Sequence, residues 1–279
     1  MKTVLKYPGS KWNLANTIVS MMPEHHSYLE PFFGSGAVLF TKQKSPIETI
    51  NDIDDEVVNL FKTIRESPDE LASAIFYTPY AEMEYEKAYE AGCEEDQVER
   101  ARKFLVRSLQ SHGFSTYRKV GWKIDVQGRE RSYAVKHWNE VPEIIKQAAE
   151  RLKQVQIANT EAIELIKRFN YENVFMYLDP PYVIRARNSK RPQYKNEMTE
   201  AGHIKLLETI AGSKAQIMIS GYQTDLYDEI LKDWNRFEFD ATAERGLPRK
   251  EVIWTNYGER QMTLADWWNA NMNGKEEQP

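Results

Sequence analysis

Two hydrophobic patterns alternate along most of the chain. Short apolar runs that end at polar or turn residues are typical of buried strands, and they occur at residues 27–30, 47–51, 154–158, 173–178 and 215–220. Between them, apolar residues recur at helical spacing, as at residues 13–22, 142–152, 162–169, 198–210 and 224–231. Strands that alternate with helices predict an α/β fold with a largely parallel sheet. Two later runs, residues 236–240 and 251–256, predict a closing antiparallel pair.

The α/β alternation is interrupted between residues 67 and 141. Residues 80–111 have helical spacing and one charged face, and a segment that mixes basic and aromatic residues with glycines follows at residues 112–138. This composition is expected of a surface that reads and distorts a polynucleotide, although an exposed, loop-rich insertion has it too. We therefore expect an α/β domain made of residues 1–66 and 142–279, with a mainly helical insertion at residues 67–141.

Composition narrows the class of protein. A net charge of −5 over 279 residues argues against a uniformly basic binder, but it permits a local basic surface. The single cysteine, Cys93, excludes an intramolecular disulfide and a multi-thiolate metal site, and no metal is expected. No apolar run approaches the length of a membrane span, so we expect a cytosolic protein that does not contact membranes.

A glycine turn follows the first predicted strand. Strand, Gly34-x-Gly36 and an apolar helix form the first half of a Rossmann-like unit, in which glycines let the backbone approach a ligand. A simple tight turn between strand and helix has the same pattern. Asp52 ends the next strand, about where an acid binds a ribose diol in such units, so it is the candidate ribose ligand.

A third strand end carries further polar candidates. Asn159 follows the predicted strand 154–158, and Glu161 lies just beyond it. Side chains at this strand end would lie beside the glycine turn. They would contact a bound adenine ring or cap the helix that follows.

The apolar run 173–178 stops at Asp179-Pro180-Pro181-Tyr182, because a double proline continues neither a strand ladder nor a helix. The carboxyl ends of parallel strands form the ligand crevice, which places this carboxylate where chemistry usually occurs. A carboxylate and a rigid backbone carbonyl provide two acceptors for an amino group, and the Tyr182 ring offers a face for stacking. The motif therefore predicts a site for the exocyclic amine of a nucleobase. A turn whose acid merely caps a helix is the alternative.

Five cations and no acid lie between residues 183 and 196. They are Arg185, Arg187, Lys190, Arg191 and Lys195. Such a run is often a solvated loop, but its position directly after the candidate catalytic motif favours contact with phosphates.

Together these motifs resemble the adenine-N6 DNA methyltransferases of the Dam type. The resemblance rests on Lys6-Tyr7-Pro8-Gly9-Ser10-Lys11, Glu30-Pro31-Phe32-Phe33-Gly34-Ser35-Gly36, Asn51-Asp52-Ile53-Asp54, His112-Gly113-Phe114 and Asp179-Pro180-Pro181-Tyr182. The motifs occur in that family's order and span nearly the whole chain. The resemblance implies a Rossmann-like, S-adenosylmethionine-dependent methyltransferase sheet with a mainly helical target-recognition insertion.

The same resemblance implies roles for individual residues. The cofactor would be S-adenosylmethionine, with Asp52 on its ribose, and Tyr7 and Lys11 would close over cofactor and target. Its methionine end would be cradled by Pro31, Phe32, Gly34, Ser35 and Gly36, and Asn159, Glu161 and Asp179 complete the predicted cofactor site. Asp179 and the Pro180 carbonyl would bind the amine of a flipped adenine, held rigidly by Pro181, while Tyr182 stacks on its ring.

Double-stranded DNA is the partner that the resemblance implies, for a monomer or weak dimer in a bacterial or phage-infected cell. The predicted DNA contacts are Ser115, Tyr117, Arg118, Lys119 and Lys123 in the insertion, and Arg185, Arg187, Lys190 and Arg191 after the catalytic motif. The best-known Dam-type enzymes have Asn, an apolar residue and Arg after His-Gly-Phe to read GATC. Only the Arg is retained here, in Ser115-Thr116-Tyr117-Arg118, so GATC recognition does not carry over to this chain.

Two other functional classes are compatible with parts of the pattern. A catalytically silent DNA-binding relic would be expected to lose Asp179, Tyr182 or Asp52, and all three are present. A methyltransferase of RNA or of a protein amide commonly has Asn in place of the leading Asp, and it would leave the basic and aromatic insertion unexplained.

Overall fold

A computed structural model of the chain describes residues 2–90, 96–114, 116, 118–124, 126, 133–183, 194–242 and 248–258. Its helices are α1 (Ala15–Ser20), α2 (Ala37–Thr41), α3 (Asp55–Glu66), α4 (Pro68–Phe76), α5 (Glu82–Lys87), α6 (Gln97–Gln110), α7 (Tyr133–Leu152), α8 (Ala162–Arg168), α9 (Glu200–Ala211) and α10 (Asp225–Ile230). Its strands are β1 (Ser27–Glu30), β2 (Ile47–Asn51), β3 (Val155–Ala158), β4 (Val174–Leu178), β5 (Gln216–Tyr222), β6 (Asn235–Thr242) and β7 (Pro248–Thr255).

The strands form a seven-stranded sheet in the order β3-β2-β1-β4-β5-β7-β6. Strands β1 to β5 are parallel, and β7 lies antiparallel between β5 and β6. The predicted α/β class, Rossmann-like sheet and closing antiparallel pair are confirmed. The chain winds outward from β1 to β3 and in the opposite direction from β4 to β5. The winding therefore reverses between β1 and β4, where α/β sheets usually bind their ligands.

The central strand β4 is hydrophobic throughout because both of its faces are covered. All residues of β4 are buried, and they alternate between two hydrophobic clusters. Phe175 and Tyr177 belong to one cluster, whereas Met176 and Leu178 belong to the other. This two-sided burial holds the end of β4, and with it Asp179, on a rigid part of the fold.

Helix α7 differs from its predicted extent. The sequence pattern predicts a helix start at Pro142, which is wrong, because the helix begins at Tyr133 and continues through that proline. Proline usually interrupts a helix because it lacks the N–H group. Here Trp138, Val141 and Ile145 are buried on the same helix, and their packing outweighs the lost hydrogen bond.

The helical insertion shares a hydrophobic core with the sheet. Leu71 of α4, Phe104 of α6 and Trp138 of α7 belong to the same cluster as Tyr28 of β1 and Phe175 of β4. A boundary between residues 141 and 142 also falls inside α7. The division of the chain into a catalytic and a target-recognition domain stays a prediction, and any such division crosses a common core.

None of the helices in the described ranges is long and apolar enough to cross a membrane. In the same ranges, His, Cys, Asp and Glu side chains form no group of three suited to a metal ion.

Candidate active site

A cavity of about 520 Å³ opens at the carboxyl ends of β1 and β4, where the winding of the sheet reverses. The N-terminal segment around Tyr7 lines it, together with residues that follow β1, β2, β3 and β4. Among the predicted site residues, its wall contains Tyr7, Lys11, Pro31, Phe32, Gly34, Ser35, Asp52, Glu161, Asp179 and Pro181. The fold thus brings together residues that lie as far apart in sequence as Tyr7 and Pro181.

The glycine turn adopts a backbone that other residues avoid. Gly34 and Gly36 have φ angles of 49° and 69°, in the left-handed region. A Cβ atom on Gly36 would lie 2.4 Å from Cζ of Phe33. Both the backbone conformation at this position and the lack of room for a side chain therefore require glycine. Gly36 is the residue that caps the N-terminus of α2 and is not in the cavity wall, whereas Gly34 and Ser35 are. The turn therefore presents backbone directly to the cavity.

Asp52 is tied to the glycine turn by hydrogen bonds. Its carboxylate accepts the Gly34 backbone N–H at 2.8 Å and the Asp54 N–H at 2.9 Å. Burial raises the pKa of Asp52 to about 6, although both amide donors oppose that shift. Asn159 is not in the cavity wall, because its side-chain amide donates to the Asp52 carbonyl at 2.8 Å. Its predicted contact with the cofactor stays a prediction, and in the structure its amide bonds to Asp52, which faces the cavity.

Asp179 lies at the centre of a buried polar cluster. Oδ2 accepts from the Lys11 ammonium at 2.9 Å, and Oδ1 accepts from the Ser220 hydroxyl at 2.9 Å. Burial raises the pKa of Asp179; the Lys11 ammonium opposes that shift, and the Glu251 carboxylate adds to it. Burial also disfavours the charge on Lys11, but Asp179 and Glu251 outweigh it and raise the pKa of the ammonium. The cluster thus keeps Lys11 positively charged.

Tyr182 packs inside this cluster and is not in the cavity wall. Its ring lies 4.3 Å from the Tyr222 ring, and the Lys11 ammonium is 4.7 Å from its centroid. Its hydroxyl donates to Glu251. Pro180 is buried as well. Stacking of a base on Tyr182 stays a prediction.

Glu30 also faces the cavity, although it was not among the predicted site residues. It ends β1 with a side chain that is almost fully buried, and Oε2 accepts from the Tyr28 hydroxyl at 2.7 Å. Burial raises the pKa of Glu30 to about 8, and Asp179 adds to the shift while the Tyr28 hydroxyl opposes it. Asp52 was predicted because it is an acid at a strand end beside the glycine turn. Glu30 has the same position at the end of β1, so the same sequence pattern could have identified it.

Replacing Glu30 by Gln should make folding stability less dependent on pH. The pKa of Glu30 is higher in the folded state than its ordinary value of 4.5. Its contribution to the free energy of unfolding is therefore fully present below pH 4.5 and is lost as pH rises through about 8. Between about pH 6 and pH 9, the wild type should lose upward of about 1 kcal/mol more free energy of unfolding than the Gln variant. Urea titrations at both pH values measure this. Glu164, exposed on α8, provides the control Glu164→Gln, and parallel pH profiles for all three proteins would contradict the assignment.

A strap formed by residues 194–198 completes the cavity wall. Tyr194 packs against Tyr7 with ring centroids 6.0 Å apart. The Lys195 ammonium bonds to Asp54 at 3.2 Å and to Asp55 at 2.7 Å. Lys195 therefore holds the strap to the start of α3. It is one of the five cations for which the sequence favours contact with phosphates.

Most of the predicted DNA contacts cannot be placed. Ser115, Tyr117, Arg185, Arg187, Lys190 and Arg191 lie outside the described residues. Arg118 is exposed, and its backbone carbonyl accepts from the Tyr89 hydroxyl at 3.2 Å. Lys119 forms an ion pair with Glu86 at the surface. Lys123 is half-buried, and its backbone pairs with Gln110. The roles of these side chains in DNA binding stay predictions.

Comparison with known proteins agrees with this geometry. Residues 7–244 match the family model described as D12 class N6 adenine-specific DNA methyltransferase. The chain is 23% identical to the type II methyltransferase M1.LlaDCHI of Lactococcus lactis subsp. cremoris, over 92% of this chain and 96% of that protein. It is also 23% identical to the type II methyltransferase M.MjaIII of Methanocaldococcus jannaschii, over 84% of this chain and 89% of that protein.

A more distant relative is the DNA N-6-adenine-methyltransferase of Escherichia phage P1, 26% identical over 43% of this chain and 17% of that protein. The family match covers the glycine turn, Asp52 and the Asp179 motif, which together surround the cavity. The chain therefore belongs to the D12 class of N6 adenine-specific DNA methyltransferases, enzymes that methylate adenine at specific sites in DNA.

Proposed function

We propose that the cavity binds S-adenosylmethionine and that Asp179 holds the amine of an adenine rotated out of double-stranded DNA. The observation that carries this proposal is the position of the Asp179 carboxylate. It lies in the wall of the same cavity as the glycine turn and Asp52, at the point where the winding of the sheet reverses. Cofactor site and target site thus share one wall.

The cavity fits S-adenosylmethionine in size and in chemistry. A volume of about 520 Å³ lies within the range of small-molecule sites. Asp52 supplies a carboxylate for the hydroxyl groups of the cofactor, and Glu30 supplies a buried carboxyl group whose ionised form a bound cationic group would favour. Phe32 and Ile53 supply apolar wall for its base. When bound, S-adenosylmethionine supplies an electrophilic methyl carbon whose bond to sulfur breaks, with the electron pair going to sulfur, as the amine nitrogen attacks.

The residues of the chain act mainly by positioning the amine. The nitrogen lone pair of adenine N6 is delocalised into the ring, so two acceptors that favour a pyramidal nitrogen direct that pair at the methyl carbon. Asp179 and the Pro180 carbonyl are the acceptors, and Pro181 stiffens their backbone. The new nitrogen–carbon bond leaves the amine with one proton too many, and the Asp179 carboxylate is placed to accept it. Holding the reacting groups in this geometry supplies most of the acceleration.

The helical insertion, residues 67–141, is the part of the chain that we assign to recognition of the DNA sequence. Its segment after α6 contains Arg118, Lys119 and Lys123 within a basic and aromatic stretch. The cations after the catalytic motif, at residues 185–191, are assigned to phosphates of the same DNA. Phosphate contacts position a protein on DNA, whereas contacts to base edges specify the sequence.

Methylation of genomic DNA, followed by single-molecule sequencing, tests this division. The wild type should modify adenines within one defined motif. Arg118→Ala should relax that motif at one base pair, since a bidentate arginine contact to guanine discriminates by about 1–3 kcal/mol. The matched control is Arg168→Ala, in the exposed last turn of α8, a helix that packs in a different hydrophobic cluster from the insertion, and this variant should leave the motif unchanged. If Arg118→Ala methylates the same motif at a lower yield, Arg118 takes no part in recognition of the DNA sequence.

A further inference from the structure

The Lys11 ammonium is surrounded by acceptors in a buried site. Its side chain is 5% exposed. Nζ donates to the Gly9 carbonyl at 2.8 Å and to Asp179 at 2.9 Å, and it lies 3.5 Å from Oε1 of Glu251. An ammonium group has three donor hydrogens, and three oxygens from different parts of the chain are here to receive them. The contact with Glu251 is the longest, beyond the usual range of about 2.7–3.2 Å for a hydrogen bond.

Lys11 occupies the features of the site that a target amine needs. The amine requires an oxygen of Asp179, and Oδ2 is bonded to Lys11 while Oδ1 is bonded to Ser220. The base requires the face of the Tyr182 ring, and the Lys11 ammonium lies 4.7 Å from the centroid of that ring. An adenine bound at these two features would therefore compete with Lys11 for Asp179 and for the ring.

Glu251 is the group that can receive the displaced lysine. It lies in β7, opposite Tyr222 of β5 in the sheet register, and its side chain is 9% exposed. It accepts a hydrogen bond from the Tyr182 hydroxyl, so it touches both the lysine that moves and the ring that the base needs. Because Glu251 already lies 3.5 Å from the ammonium and both side chains are buried, only a small movement separates the lysine from a hydrogen bond with Glu251. Leaving a buried ammonium without an anion would be far more costly.

We propose that Glu251 is a positioning residue, which takes over the Lys11 ammonium when the adenine amine binds Asp179 and holds the Tyr182 ring for the base. The inference rests on the proposed function of Asp179. In the reactive state the two buried carboxylates have different partners. Asp179 holds the amine, and Glu251 holds the lysine. The single cation stays neutralised, and Asp179 stays available as an acceptor.

The proposal is tested with Glu251→Gln, which keeps the shape of the side chain and removes its charge. Lys11 is then held by Asp179 alone and competes with the amine. The turnover number for methylation of duplex DNA should fall at least about tenfold, as for other small misplacements of reacting groups. Affinity for S-adenosylmethionine, measured by calorimetry, should stay within about twofold, because that variant leaves the glycine turn and Asp52 intact.

The pH profile distinguishes positioning from a structural role. Groups that face Asp179 and carry charge or titrate are Lys11, Glu30, Glu251, Tyr177, Tyr182 and Tyr227. Removing the negative charge of Glu251 lowers the pKa of Asp179, so the acid limb of kcat/KM should move to lower pH in Glu251→Gln. A variant that only loosened the fold would lose activity without moving that limb.

Two further variants complete the experiment. Glu251→Asp keeps the carboxylate, so its acid limb should stay at the wild-type pH and its turnover should exceed that of the Gln variant. Glu238→Gln, on neighbouring β6, removes an exposed carboxylate paired with Lys250 and should match the wild type throughout. The inference is overturned if Glu251→Gln turns over like Glu238→Gln, if its acid limb does not move, or if Glu251→Asp shifts the limb. Failure of the wild type itself to methylate DNA would instead overturn the proposed function.

Discussion

Replacing Asp179 by Ala should lower the rate of adenine methylation by about 10²–10³-fold, the usual cost of removing one preorganised polar group from a transition state. In the proposed reaction the carboxylate accepts a hydrogen bond from the amine and aims its lone pair, and Asp179 lies in the cavity wall directly after the last residue of β4. Affinity for S-adenosylmethionine should change by less than about threefold, because the glycine turn and Asp52 remain. Single-turnover kinetics on duplex DNA and calorimetry measure the two quantities separately.

The control for this variant is Asp225→Ala. Asp225 is an exposed acid near the carboxyl end of β5, the strand next to β4, and it has no contact with the cavity. Its variant should methylate at the wild-type rate. Turnover near that of the wild type by folded Asp179→Ala would show that the amine is held elsewhere.

Replacing Asp52 by Ala should weaken binding of S-adenosylmethionine by about 1.5–3 kcal/mol, the worth of a hydrogen bond to a charged group. Two effects combine: the ribose loses a carboxylate acceptor, and the Gly34 and Asp54 amides lose the group that fixes the glycine turn. The pKa of Asp52 is about 6, so calorimetry is best done near pH 8, where the carboxylate is ionised. DNA binding without cofactor should barely change.

Asp69→Ala provides a comparison for Asp52→Ala. Asp69 also lies in a helix-start region, but its side chain is 83% exposed and pairs only weakly with Lys146. Its loss should leave cofactor affinity unchanged. If Asp52→Ala bound S-adenosylmethionine as tightly as Asp69→Ala, the acid after β2 would have no part in the cofactor site.

The parts of the site that lie at ends of parallel strands were predictable from the sequence. The apolar run before Asp179 and the double proline after it mark a strand end, and the glycine turn marks another. Parallel strands place such ends at one edge of the sheet, so their approach follows from local patterns alone. The cavity that Gly34, Asp52 and Asp179 share is the result.

Residues that reach the site through non-local packing were not predictable in this way. Glu251 lies in β7, and no local pattern shows that this strand inserts antiparallel beside β5. Lys195 belongs to a run of cations, but its partners Asp54 and Asp55 are far away in sequence. Helix α7 continues through Pro142 because buried neighbours outweigh the local preference of proline. Each case depends on tertiary contacts between distant segments.

The central claim is that this cavity joins S-adenosylmethionine to the N6 amine of an adenine held by Asp179. Incubation of duplex DNA with the purified protein and S-adenosylmethionine carrying a trideuterated methyl group tests it most directly, with the nucleosides then separated and weighed by mass spectrometry. We expect the intact labelled methyl group on N6 of adenine from the wild type, and about 10²–10³-fold slower labelling of adenine by Asp179→Ala. Label on cytosine, or equal labelling of adenine by wild type and Asp179→Ala, would contradict the account.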